Sequence, residues 1–168
     1  MTISKERVLK NFSFWVLVLL IPLALLPYSG ARNSNASAQT QPRTRNIQFI
    51  KAASGPARPF SPAVRANGFL LLSGQIGTDA SGKIVSGGIV PETRQAMENI
   101  KKVLADNGSS MDRVVKCTVF IGDMAEWATM NDVYTTFFKE DRRPARSAMG
   151  ANGLALGAKL EIECLAAE

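Results

Sequence analysis

Apolar and polar positions change phase along this chain, and each change names an element. From Phe12 to Leu26 the residues are apolar except Ser13 and Pro22, and Ser29–Gln41 is polar. Gln39 to Ser54 is a polar, basic lead-in. Residues 55–62 read GPARPFSP, and three prolines there exclude a helix and predict an extended segment. Phe69–Ser73 is a short apolar run closed by Gly74, which predicts a strand. Thr78–Gly82 carries turn residues, and Lys83-Ile84-Val85 reads as a returning strand. Gly87-Gly88 precedes a helix in which Pro91 suits an early position and Glu92 faces the positive N-terminal end. Ala96, Met97, Ile100, Val103 and Leu104 share one face, and Asn107-Gly108 closes the helix.

Val115, Cys117, Val119 and Ile121 alternate with Val114, Lys116, Thr118 and Phe120, the period of a half-buried strand. Asp123 can cap a second helix carrying Trp127, Met130, Tyr134, Phe137 and Phe138, of which Trp127, Phe137 and Phe138 read as core. Arg142-Arg143-Pro144 ends that helix, Ala145–Met149 reads as a strand, and residues 150–157 form a Gly-rich loop. In the last strand Leu160, Ile162 and Cys164 point one way and Lys159, Glu161 and Glu163 the other. The order is strand, strand, helix, strand, helix, strand, strand. It predicts a two-layer α/β fold with both helices on one face of the sheet. The other face carries charge and suits a wet cleft between subunits.

The 168 residues allow one domain and an appendage. Lys5, Arg7 and Lys10, the 15-residue apolar run and the small-x-small Ala36-Ser37-Ala38 follow the order of a secretory signal cut before Gln39. A spanning helix wants about 20 residues, so an uncleaved anchor is the alternative. The division is a signal over 1–38, a linker over 39–48 and the domain over 49–168. The mature chain is expected outside the cytoplasm, periplasmic or secreted, with membrane contact only through the signal.

Charge alters this picture little. The net charge is +6, but residues 1–38 hold four basic side chains against one acidic, leaving 16 against 13 in the rest. No clustered basic face argues for nucleic acid. The chain has no His, so Ser-His and Cys-His pairs and His metal sites are excluded. Two Cys do not make a four-ligand zinc site without carboxylate help. Cys117 and Cys164 can be bonded in an oxidising compartment or stay as buried thiols. Gly87-Gly88 and the 150–157 loop lack the Gly-Lys-Ser/Thr ending of a phosphate cradle.

Arg146 and Glu161 are charges that strands hold rigid. A guanidinium matches a carboxylate in two parallel hydrogen bonds, and a carboxylate can orient or deprotonate water. An ordinary cross-strand ion pair is the plain alternative. In Ser73-Gly74-Gln75, Gly74 permits close approach and Ser73 can donate to a ligand, or the three form a strand-ending turn. Asn131 either reaches a site or faces solvent.

Together SGQIG (73–77), VVKCTVFIGDM (114–124), TMNDVYTTFF (129–138), RPARSAM (143–149) and KLEIECLA (159–166) resemble the RidA/YjgF/UK114 family of imine deaminases over residues 49–167. The resemblance implies a chorismate-mutase-like α/β fold, usually a homotrimer with sites in clefts between subunits. It implies hydrolysis of 2-imino acids or enamines to 2-oxo acids and ammonia, with no metal or organic cofactor. A non-catalytic module binding a small carboxylate or a partner protein is the alternative. RNA cleavage, attached to the family by name, is disfavoured by the missing His and weak charge. By this resemblance Arg146 clamps the substrate carboxylate and Glu161 positions water. Ser73, Asn131, Phe60 and backbone near Ala148 line the pocket. Two departures stand out. Arg58-Pro59-Phe60-Ser61 replaces a Gly-Pro-Tyr-Ser pattern, and Ala148 stands where many bacterial members have Cys.

Overall fold

The computed structural model describes residues 46–52 and 58–168. The signal, the apolar run, the cleavage site and most of the linker lie outside the described residues, as do residues 55–57 of the proline-rich segment.

Among the described residues seven strands and two α-helices follow one another: β1 (Ile47–Phe49), β2 (Ala63–Ala66), β3 (Phe69–Leu72), β4 (Gln75–Ile76), α1 (Ile89–Asp106), β5 (Val114–Ile121), α2 (Trp127–Thr135), β6 (Ala145–Gly150) and β7 (Leu160–Ala167). The seven strands form one mixed sheet in the order β1-β2-β3-β7-β5-β6, with β4 also on β7. Among the described strands only β5 and β6 run parallel, and α2 makes their crossover. Both helices contribute buried faces to the same core as β3, β5 and β7.

The long elements follow their sequence periods. In α1 the buried residues Ile89, Thr93, Met97, Ile100 and Leu104 recur every three or four positions. The helix begins two residues before Pro91. Gly87 and Gly88 lead into it with φ of +109° and +85°, a conformation other side chains resist. In β7 Leu160, Ile162, Cys164 and Ala166 are buried and alternate with Glu161, Glu163 and Leu165. Directly opposite on β5, Cys117 pairs with Cys164, and the two form a disulfide inside the core. The open question of thiol or disulfide closes in favour of the bond.

Several expectations need correction. Val115 is 42% exposed, out of phase with Cys117. The β5–β7 pairing slips there, Val114 facing Ala166 and Lys116 facing Leu165, so Val115 is an inserted bulge residue. Lys83–Val85 forms no strand. The Asp79 carboxylate accepts from the Ser81 and Lys83 amides and holds a turn, leaving one bridge, Thr78 to Ile84. Hydrogen bonding to the Ser81 hydroxyl chiefly lowers the Asp79 pKa. Two unanticipated strands, β1 and β2, extend the sheet edge, so pairing begins at Ile47 inside the expected linker. Phe137 and Phe138 lie beyond α2 but still pack against the core. Asp123 caps the short turn leading into α2 by accepting from the Ala125 amide at 2.9 Å.

Candidate functional site

Arg146 sits in β6 at the sheet edge, in register with core-facing Cys117. Its side chain therefore leaves the sheet on the helix side and runs under α2. Nη1 donates to Asn131 Oδ1 at 2.5 Å, and the guanidinium lies 4.7 Å from the Tyr134 ring centroid and 5.7 Å from that of Trp127. Stacking holds the guanidinium plane while leaving in-plane N–H groups to meet an anion. A cavity of about 320 Å³ opens there, lined by Asn131, Tyr134, Thr135, Arg143 and Arg146 among others. Tyr134 is 3% exposed, and its hydroxyl has no hydrogen-bond partner among the described residues. Burial pushes its pKa up to about 12 against the opposing charge of Arg146, so the phenol is neutral at ordinary pH. Trp127 is 37% exposed and walls Arg146, which corrects its reading as core.

Glu161 has the opposite orientation. It pairs with Phe120, out of phase with the buried Val119 and Ile121, and projects from the helix-free face. Its carboxylate lies over Gly74. A Cβ on Gly74 would stand 1.8 Å from Glu161 Oε1. That contact explains the glycine of Ser73-Gly74-Gln75. The turn also shifts the sheet pairing by one residue, Leu71 facing Leu165 but Gln75 facing Ile162. The Gln75 amide braces it by donating to the carbonyls of Ser73 and Gly74 at 2.9 and 3.1 Å. A second cavity of about 320 Å³ is lined by Arg58, Phe60, Gly74, Gln75, Leu156 and Glu161, among others.

The expected site residues thus divide. Glu161 and Phe60 share one cavity, and Arg146 and Asn131 share another. Ser73 lines neither. Its hydroxyl donates to the Ser61 carbonyl at 2.6 Å and its amide to that of Pro62, which fastens the Phe60 segment to the turn. Ala148 faces the core on β6, opposite Val119, and is half-buried. Arg146 and Glu161 flank β5 at Cys117 and Phe120, so about 10 Å of strand and two strand spacings of about 4.8 Å separate them, on opposite faces. Within one chain they do not touch the same small molecule, which corrects the picture of neighbouring groups.

The helix-free face carries Lys116, Thr118, Glu163 and Leu165 beside exposed Leu71, and Lys116 Nζ donates to Ser147 Oγ at 2.8 Å. Among the described residues no three His, Cys, Asp or Glu side chains cluster as metal ligands.

Residues 50–168 match the model of the family described as Endoribonuclease L-PSP. A RutC family protein of Pyrococcus horikoshii is 41% identical over 123 residues, 73% of this chain and 97% of that one. The human protein named 2-iminobutanoate/2-iminopropanoate deaminase is 38% identical over 123 residues, 73% of this chain and 89% of its own. Among solved structures, yeast Mmf1 superposes with a TM-score of 0.67 at 37% identity, covering 73% of this chain and 98% of that one.

Proposed function

The chain belongs to the Endoribonuclease L-PSP family, the RidA/YjgF/UK114 family of the sequence resemblance, and from that membership we propose that it hydrolyses 2-imino acids and enamines to 2-oxo acids and ammonia. One observation carries the reading. The chain presents a guanidinium against aromatic rings in one cavity and a carboxylate lying over Gly74 in another, on opposite faces of its sheet. Each is half of a site, and a second copy supplies the missing half. The working form is a homotrimer in which Arg146 of one copy meets Glu161 of the next.

In that cleft Arg146 grips the substrate carboxylate through its free N–H groups. The Tyr134 ring, with its centroid 4.7 Å from the guanidinium, helps hold that group in place. Glu161 orients a water against the imine carbon and takes its proton as the new C–O bond forms. Glu161 hands that proton to the carbinolamine nitrogen; the C–N bond then breaks with its electron pair leaving on ammonia, C=O forms, and Glu161 takes the hydroxyl proton and releases it to solvent. An iminium carbon is electrophilic, so the water needs positioning and a base and no stronger nucleophile. The Cys117–Cys164 disulfide supports placing the mature chain in an oxidising compartment.

The test is ammonia and 2-oxo-acid release from an imine made in situ by an amino-acid oxidase. Acceleration over buffer, lost in Glu161→Gln, supports the proposal; an unchanged imine lifetime overturns it. Phe60, which lacks the phenolic hydroxyl of the family pattern, favours a second reading as a binding module. Thermal stabilisation by 2-oxobutanoate with an unaltered imine lifetime would select that one.

A further inference from the structure

We infer that Arg58 sets substrate choice in the Glu161 cavity, favouring 2-imino acids whose side chain carries a second carboxylate. The inference rests on the proposed function and deepens it. Arg58 and Glu161 line the same cavity, and the Arg58 guanidinium stands 6.0 Å from the Phe60 ring centroid. This cation belongs to the chain's own sequence, since Arg58 replaces the glycine of the Gly-Pro-Tyr-Ser pattern.

The segment is fixed where it matters. Pro59 constrains the backbone after Arg58, and the Ser61 and Pro62 carbonyls both accept from Ser73. The Arg58–Phe60 pair is thereby tied to the turn that carries Gly74 under Glu161. In the proposed cleft Arg146 already holds the carboxylate next to the imine carbon. A second carboxylate entering a cavity that contains Glu161 would meet repulsion unless a cation stood there. Arg58 supplies that cation, with a planar fork suited to a carboxylate. Phe60 offers its face to the Arg58 guanidinium and its bulk to the methylene carbons between the two acid groups.

The experiment measures calorimetric affinities of the full-length protein for two stable product-type acids, 2-oxoglutarate and 2-oxobutanoate. Wild type, Arg58→Ala and Arg58→Lys are compared, and imine hydrolysis is assayed in parallel. Wild type is expected to bind the diacid about tenfold more tightly, with the ratio falling toward one in Arg58→Ala and partly restored in Arg58→Lys. Equal wild-type affinities, or a ratio unchanged by Arg58→Ala, overturn the inference alone. Equal weakening of both acids in Arg58→Ala also overturns it, since Arg58 would then grip the carboxylate common to both. If neither acid binds and no imine is hydrolysed, the proposed function falls with it.

Discussion

Gly74→Ala separates positioning from folding at the Glu161 carboxylate. The added Cβ would stand 1.8 Å from Oε1, 2.7 Å from Cδ and 2.9 Å from Cγ of Glu161, where ordinary contact starts at 3.4 Å. Glu161 must therefore move its carboxylate by about 1.6 Å or more. The atoms that yield are the end of a flexible, half-buried side chain, so the fold can absorb the change. Gly74 is not among the glycines at positive φ, so alanine adopts its backbone and gains about 0.4–1 kcal/mol by restricting the unfolded chain. Stability in urea should then change by no more than about 1 kcal/mol. A misplacement of about 1 Å at a reacting group costs on the order of a hundredfold in rate, so kcat for imine hydrolysis should fall by about that factor. Glu161→Gln should lose at least as much, and the double variant should lose no more than Glu161→Gln alone, because both act on one carboxylate. Wild-type kcat in Gly74→Ala, or additive losses in the double variant, would refute the reasoning.

Two further outcomes follow from the core and the Arg146 cavity. The disulfide closes a separation of 47 residues, for which the chain-entropy estimate is about 4 kcal/mol. Cys117→Ala/Cys164→Ala, followed by urea denaturation, should lose about 2–5 kcal/mol, and added reductant should destabilise wild type but not the variant. For Tyr134 the folded-state pKa is raised from 10.0 to about 12, chiefly by burial. The unfolded chain then releases the phenolic proton first, so its contribution is intact below pH 10 and lost as pH rises toward 12. Tyr134→Phe should flatten the alkaline fall of stability by roughly 2 kcal/mol over that range. An identical alkaline slope in the variant would show that Tyr134 is not the group titrating.

The longest elements were legible because one buried face sets their period. Ala96, Met97, Ile100 and Leu104 of α1 and Leu160, Ile162 and Cys164 of β7 are buried as their spacing predicts, whereas the buried first turns of α1, with Ile89, Glu92 and Thr93, carry no such apolar stripe. The short edge strands were not legible. Ile47–Phe49 is exposed at all three positions and Ala63–Ala66 includes Arg65, so neither carries an alternation, and pairing alone makes them strands. Arg65 itself is held by the Glu168 carboxylate and the Asn107 carbonyl, contacts distant in sequence. The Val115 bulge depends on register with β7, which no local pattern encodes. At the site, Arg146 and Glu161 were identifiable as strand-borne charges, and their opposite faces were not, because that relation is fixed by the pairing of three strands. Trp127 reads as core from the sequence, and only the placement of Arg146 against Trp127 and Tyr134 shows what these rings hold.

Mixing two impaired variants tests most directly whether the site is shared between copies. Glu161→Gln and Arg146→Ala proteins, each expected to have lost most of its activity alone, would be dissociated together, reassembled and assayed for 2-oxo-acid release. Where a copy that keeps Glu161 meets a copy that keeps Arg146, an intact cleft forms. Random reassembly of a closed trimer should then restore about a quarter of wild-type activity. No recovery in mixed oligomers whose composition is verified by mass would contradict a catalytic cleft built from two chains.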